Sequence, residues 1–277
     1  MLGIILAAVS DAFAEFSAST GKRGVRRGAE SLYSFGFLTF FFAAAFFLAE
    51  GLLRSDFVFV QESLPTFVPR LFLEVLQAHM MLRAVVLSDR GDFGFVKTLT
   101  IPILLGIDLA LGYAIGPMQM LGMALVLLPV AALVAIEWRQ MRGLGYLLFI
   151  AINAVATISL YKYDITHFNS VAAEQSIVCL VLMTYFYILA RTIAREEPLA
   201  LLRKKIFLAQ SLASGASTVA GSFAYAFAPA SVIVTAMRSF GILFSVLTGR
   251  YYFHERHFAI RALLFSFTLA GLVLLAL

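Results

Sequence analysis

Charge is scarce in this sequence. Asp, Glu, Lys and Arg make up 13% of the 277 residues against 61% apolar, and mean hydropathy is +0.93. Soluble domains carry about twice that share of charge, so a water-soluble globule is excluded. Cysteine is nearly absent: the one residue, Cys179, permits neither a disulfide framework nor a Cys-based metal site. Long polar stretches are missing too. The longest, 191–205, cannot hold a folded domain with its own core, so no soluble catalytic or binding module is attached.

What is present is apolar sequence in bilayer-crossing lengths. About 20 apolar residues cover the hydrocarbon core as a helix. Ten stretches qualify: 2–20, 31–53, 64–87, 96–113, 117–136, 144–161, 168–190, 206–227, 230–252 and 258–277. The first contains Ala12-Phe13-Ala14, which has the small-x-small form of a signal-peptide cleavage site. No Lys or Arg precedes it and Asp11 interrupts its apolar run, so it reads as a retained helix. The expected fold class is an all-α integral membrane protein of ten transmembrane helices.

The second half echoes the first. Ala29-Glu30 recurs as Ala173-Glu174, 144 positions on, and Phe72-Leu73 recurs as Phe207-Leu208 in the third stretch of each half. The expected division is a first five-helix repeat over 1–138 and a second over 139–277. Five spans is an odd number, so the second half enters the membrane the opposite way and the repeat is inverted. Of the 21 Lys and Arg residues, sixteen fall in odd-numbered loops, among them Lys22, Arg90, Lys97 and Arg261, and only Arg54 and Lys162 in even-numbered ones. The positive-inside bias places the odd loops in the cytoplasm and both termini outside. These loops read as topogenic charge near anionic headgroups, with no nucleic-acid partner.

Two stretches carry a family likeness: Ile103-Leu104-Leu105-Gly106 through Gly116-Pro117-Met118-Gln119-Met120-Leu121-Gly122, and Phe240-Gly241-Ile242 through His254-Glu255, closing with Leu269-Ala270-Gly271-Leu272. Ala151-Ile152-Asn153-Ala154 through Lys162, then Asn169-Ser170, adds a third. The sequence resembles the drug/metabolite transporter superfamily in its EamA-like ten-span branch. The resemblance implies two inverted five-helix repeats, a substrate site between them and cytoplasmic termini; the charge count contradicts the last point. The acidic residue that the family carries at the end of span four is replaced near Tyr113, so only Glu255 of the second half retains it.

Ionisable groups in the spans are costly, about 2.5 to 3.5 kcal/mol each at mid-bilayer, and so mark function. Arg70, Glu74 and Gln77 share one stripe of span three, and His79 and Arg83 form a second. Arg70-Glu74 reads as an intrahelical ion pair or as part of a substrate site. Asp11 and Glu15, four apart on span one, either exchange a proton or are compensated by Arg70, Arg83 or Arg238. Arg238 and Asp108, on the repeat-equivalent spans nine and four, form a structural or a gated salt bridge. Asn153, Thr157 and Tyr161 line up on span six. Glu30 and Glu174 read as caps, Lys162 as a snorkelling anchor. Ala209, Ala213, Ser217 and Gly221 make a small-residue packing stripe on span eight.

The expected function is secondary active transport of a small polar or amphipathic metabolite, without a cofactor or enzymatic step. Substrate contacts fall to Arg70, Glu74, Gln77, Asn153 and Arg238, and coupling to Asp11, Glu15 and Asp108. The rivals are a flippase for lipid or lipid-linked sugar, and an integral-membrane enzyme using Asp89, Asp92 and the His254 to His257 cluster. A monomer or homodimer in a bacterial plasma (inner) membrane is expected.

Overall fold

A computed structural model of the chain describes residues 2–54, 57–103, 117–137, 141–227, 230–255 and 258–276. Among the described residues every regular element is helical. Ten helices organise the molecule: α1 (Leu2–Arg26), α2 (Leu32–Arg54), α3 (Leu64–Leu87), α4 (Arg90–Lys97), α5 (Pro117–Glu137), α6 (Leu144–His167), α7 (Val171–Leu189), α8 (Lys205–Phe227), α9 (Ala230–Tyr251) and α10 (Phe258–Ala276). Four helical stretches are long and apolar enough to cross a membrane: Leu2–Arg26, Leu32–Leu53, Leu144–His167 and Val171–Ala194. Helices α3, α8 and α9 have 24, 23 and 22 residues, and at 1.5 Å per residue each is about as long as a hydrocarbon core is thick. They carry more polar residues, for reasons that the site below makes plain.

Helix ends follow local chemistry. Gly28 takes φ +67°, Gly28 N–H donates to Val25 O and Ala29 N–H to Gly24 O, so α1 closes in a Schellman turn. That turn brings Glu30 beneath α8. At the end of α7 the chain widens into a π-turn over Ala190–Ala194, and Arg195 goes left-handed at φ 55°. Glu196 is thereby aimed at the start of α2, where its Oε2 accepts from Ser31 N (3.0 Å) and Ser34 Oγ (2.5 Å). Burial raises the Glu196 carboxyl, but these Ser34 and Ser31 donors outweigh it and hold it below its usual range.

The halves interleave. Helix α1 packs along α8 and α3 along α6, while α2 meets α7, α4 meets α9 and α5 meets α10. Small residues set the closest approaches. Gly221 and Ser217 of the small-residue stripe lie against Ser10, whose Oγ donates to Ser217 O at 2.9 Å, which bears out the packing role expected for that stripe. On the neighbouring face of α8, Gly215 abuts the Phe42 backbone, and Gly271 of α10 abuts Gly122 and Leu125 of α5. The main core lies between α2, α3, α6 and α7, where Phe35, Phe37, Leu38, Leu82, Leu147, Ile150, Leu182 and Phe186 are buried.

Two stability predictions follow from these contacts. A Cβ at Gly215 would stand 2.8 Å from Phe42 Cβ and 3.0 Å from its backbone carbon, so Gly215→Val should destabilise by about 1–3 kcal/mol. Gly145→Ala, with nothing within 4 Å, should be neutral when both are melted in detergent. Glu30 is buried, and burial pushes its carboxyl from an ordinary 4.5 up to about 8, opposed by the Gln210 N–H and helped by Glu196. A carboxyl raised in the fold stabilises it while protonated. That contribution is whole below pH 4.5 and is lost as pH rises through about 8. Wild-type melting should fall across that window, whereas Glu30→Gln should flatten the profile.

Candidate functional site

At mid-depth the bundle encloses a polar chamber of two adjoining lobes. The first, about 290 Å³, is lined by Ser10, Asp11 and Glu15 of α1, Arg90, Phe93 and Lys97 of α4, Ser214, Ser217 and Thr218 of α8, and Met237, Arg238 and Gly241 of α9. The second, about 340 Å³, adds Arg70 and Glu74 of α3, Thr157 and Tyr161 of α6, Gln175 of α7, and Gly221, Ser222 and Tyr225 of α8. Ser10, Lys97, Ser217 and Thr218 line both, which makes the two lobes one space. Ser214 belongs to one lobe and Ser222 to the other, so the chamber runs for roughly 12 Å along α8.

The first lobe holds a mix of paired and unpaired charge. Arg90 grips Glu15 with two hydrogen bonds, Nε to Oε1 at 3.0 Å and Nη2 to Oε2 at 2.6 Å, and Ser19 Oγ donates to Oε1 at 2.8 Å. Such a bidentate, charge-assisted pair offsets the desolvation of both ions. Asp11 sits in the field of Lys97, Arg238 and Glu15. Among the described residues it nevertheless makes no ion pair with them within 4.0 Å, and Asp11 Oδ2 and Arg238 Nε have no hydrogen-bond partner. Lys97 Nζ stands 5.7 Å from the Phe93 ring. Three charged groups thus face a common gap.

In the second lobe Arg70 is 1% exposed and is enclosed on three sides. It pairs with Glu174 of α7, lies 3.6 Å from Glu74, and stacks 4.5 Å above the Tyr161 ring. Tyr161 meets Tyr225 edge-on at 5.9 Å and donates to Ser222 O at 3.3 Å.

Ionic closures seal the chamber from both ends. At the end bearing most basic loops, Glu255 accepts from the N–H groups of Arg90 (2.7 Å) and Gly91 (3.2 Å), capping α4 across the two halves. Arg261 joins Glu255 (2.7 Å) to Asp92 (2.8 Å), and Lys22 Nζ donates to Ser88 O at 2.5 Å. At the opposite end Thr66 Oγ1 donates to Asp164 (2.5 Å), Asn169 holds Val60 N–H (3.0 Å), and Asn169 also reaches Glu174 (3.4 Å), the partner of Arg70.

Of the expected site residues, the structure brings Asp11, Glu15, Arg70, Glu74 and Arg238 to the chamber. Asp108 lies outside the described residues. Gln77 and Asn153 are corrections: Asn153 Nδ2 donates to Gln77 Oε1 (2.9 Å) and Leu73 O (3.1 Å), and Gln77 Nε2 to Ile150 O (3.2 Å). They bolt α3 to α6 and line neither lobe, because two long amides on facing helices satisfy each other. Glu15 is likewise not free to exchange a proton, being clamped by Arg90, a residue counted among the loop charges. Nor are the two glutamates caps: Ser170 Oγ accepts from Ala173 N–H to cap α7, while Glu174 takes Arg70 and Glu30 takes Gln210. Lys162 turns inward to Tyr225 O (2.9 Å).

Sequence reasoning missed Lys97, which lines both lobes, and misplaced Lys22, Arg90 and Arg261, which are buried. The signal was there. Arg90 and Lys97 are seven apart on a helix whose other residues include Phe93, Phe95 and Val96, so they share one face of an apolar element. Among the described residues no three His, Cys, Asp or Glu side chains gather as a metal site. No protein-family model matches the chain, and no curated protein matches it.

The Glu15–Arg90 pair yields a direct check. Glu15→Gln or Arg90→Gln alone strands a buried charge and should cost about 3–5 kcal/mol, whereas the double variant should cost less than the sum. Additive losses in a thermal double-mutant cycle would mean that the pair is not coupled.

Proposed function

We propose that the chain is a secondary transporter working by alternating access, built as ten spans in two inverted five-helix repeats of the EamA-like kind. The observation that carries this reading is a polar chamber at mid-depth, shut at each end by ion pairs that join the two halves. Charge buried in an apolar bundle is expensive and persists where it lines a path for a polar solute. Transport sites of inverted-repeat proteins lie at that depth, between the repeats.

The helix pairing supports the repeat. With α6 to α10 matched in order to α1 to α5, the contact of α1 with α8 corresponds to that of α3 with α6. The contacts of α2 with α7, α4 with α9 and α5 with α10 map onto themselves, and that of α1 with α9 maps onto α4 with α6. A pseudo-twofold produces this exchange, and an odd number of spans per half puts its axis in the membrane plane. Opening one end breaks the Glu255 and Arg261 closure; opening the other breaks Arg70–Glu174 and Thr66–Asp164. Within the chamber Lys97 and Arg238 attract the substrate, and Asp11, the carboxylate without a direct partner, couples its movement to protons.

A soluble solute suits the chamber better than a lipid. The apolar groove of about 800 Å³ between α1, α2 and α8, lined by Leu6, Phe42, Phe46, Val219 and Phe223, shares no lining residue with either lobe. Gly215 against Phe42 closes α2 on α8 at its side.

Reconstituted in liposomes, the protein should exchange labelled solute against an internal pool, faster under a pH gradient. Asp11→Asn should lose the response to the gradient, leaving any residual exchange independent of pH. Absence of counterflow across a broad metabolite panel, with and without the gradient, would refute transport.

A further inference from the structure

The chamber is electrically bipolar. In the first lobe Glu15 cancels Arg90, and Asp11 faces both Lys97 and Arg238, which leaves one positive charge in excess. In the second lobe Arg70 is the one cation against two carboxylates, Glu74 and Glu174, which leaves one negative charge in excess. Glu174 is fully buried behind Arg70, whereas the Glu74 side chain keeps 23% of its surface exposed and lines the space. The surplus anion available to a ligand is therefore that of Glu74.

We propose that the substrate is a small zwitterion, an amino acid or amino-acid-like solute, bound with its anionic group between Lys97 and Arg238 and its ammonium at Glu74. The proposal rests on the transporter reading for the use of the site, but its chemistry comes from the charges alone. Asp11, Lys97 and Arg238 approach one another without contact, so an oxyanion entering the gap gains two cations without first breaking an ion pair. Arg238 Nε, buried and without an acceptor, is a donor waiting for that group. The lobes are centred about one helical turn apart on α8, near Ser214 to Thr218 and Ser217 to Ser222, or roughly 5 Å. A compact zwitterion spans that offset with its two ends on opposite charges. The hydroxyls of Ser10, Ser217 and Thr218 lie between and hydrogen-bond its middle, and Phe35, Phe93, Met81 and Leu82 offer one apolar wall to a side chain. A solute carrying a single charge leaves the other surplus unanswered in a desolvated site, and such sites reject ligands that lack one polar group.

Binding is read separately from transport. The full chain in detergent micelles is screened by ligand-induced thermal stabilisation against the common α-amino acids, γ-aminobutyrate and phosphoethanolamine. For the best binder, its amide, which lacks the anion, and its deaminated acid, which lacks the cation, are then titrated. Both analogues should bind at least about tenfold more weakly, and Glu74→Gln should erase the preference for the zwitterion over the deaminated acid. A singly charged analogue binding the wild-type chain as tightly as its zwitterion, or no zwitterion binding at all, overturns the proposal whether or not the variant folds. The two readings fail apart: a bound zwitterion that liposomes do not exchange would refute transport alone, and counterflow of a solute of another charge class would refute the zwitterion alone.

Discussion

A guanidinium inside an apolar helix bundle must find a carboxylate, and this constraint organises the protein. Removing an ion from water costs several kcal/mol even after relaxation, and only close, well-aligned partners offset it. Arg90 is 2% exposed and Arg261 3%, and each is held by carboxylates from the other half of the chain, Arg90 by Glu255 through its backbone N–H and Arg261 by Asp92. Arg70 is held in the same way by Glu174. The ion pairs that make charge tolerable are therefore also what hold the halves together. Because the partners stand on different halves, relative motion of the halves must break them at one end.

That double duty explains why several helices of spanning length are polar. Helix α3 carries Arg70 and Glu74 into one lobe and spends Gln77 on α6, while its second stripe turns to α7, where Arg83 Nε donates to His79 and His79 meets Tyr185. Helix α8 alternates closeness and polarity: its small residues admit α1 and α2, and its hydroxyls face the chamber. Only α2 and α7, which pack mainly through phenylalanine and leucine, are free of such tasks over most of their length.

Much of the fold was legible in the sequence. Apolar length and the Gly and Pro punctuation located nearly every helix, and the small-residue stripe announced the α1–α8 contact. The site was legible only in part. Polar residues inside apolar stretches stood out, so Asp11, Glu15, Arg70, Glu74 and Arg238 were found. Lys97 and Arg90 hid in a segment rich in glycine and charge that looks like a loop, since nothing in a one-dimensional charge count distinguishes a cation facing headgroups from one turned inward. Gln77 and Asn153 misled for the opposite reason. Amides are as good at bridging helices as at binding substrates, and which they do depends on a neighbour that sequence spacing does not reveal.

The central claim is that closures at opposite ends of one chamber open in turn. Distances between spin-label pairs test it most directly, in a Cys179→Ala background with labels at Leu87 and Tyr252 on the basic end and at Glu62 and His167 on the other, all exposed positions. The account predicts two distance populations for each pair, with Glu174→Gln lengthening the Glu62–His167 distance while the Leu87–Tyr252 distance stays short. A single narrow distance at both ends in every variant, or lengthening at both ends together, would contradict it.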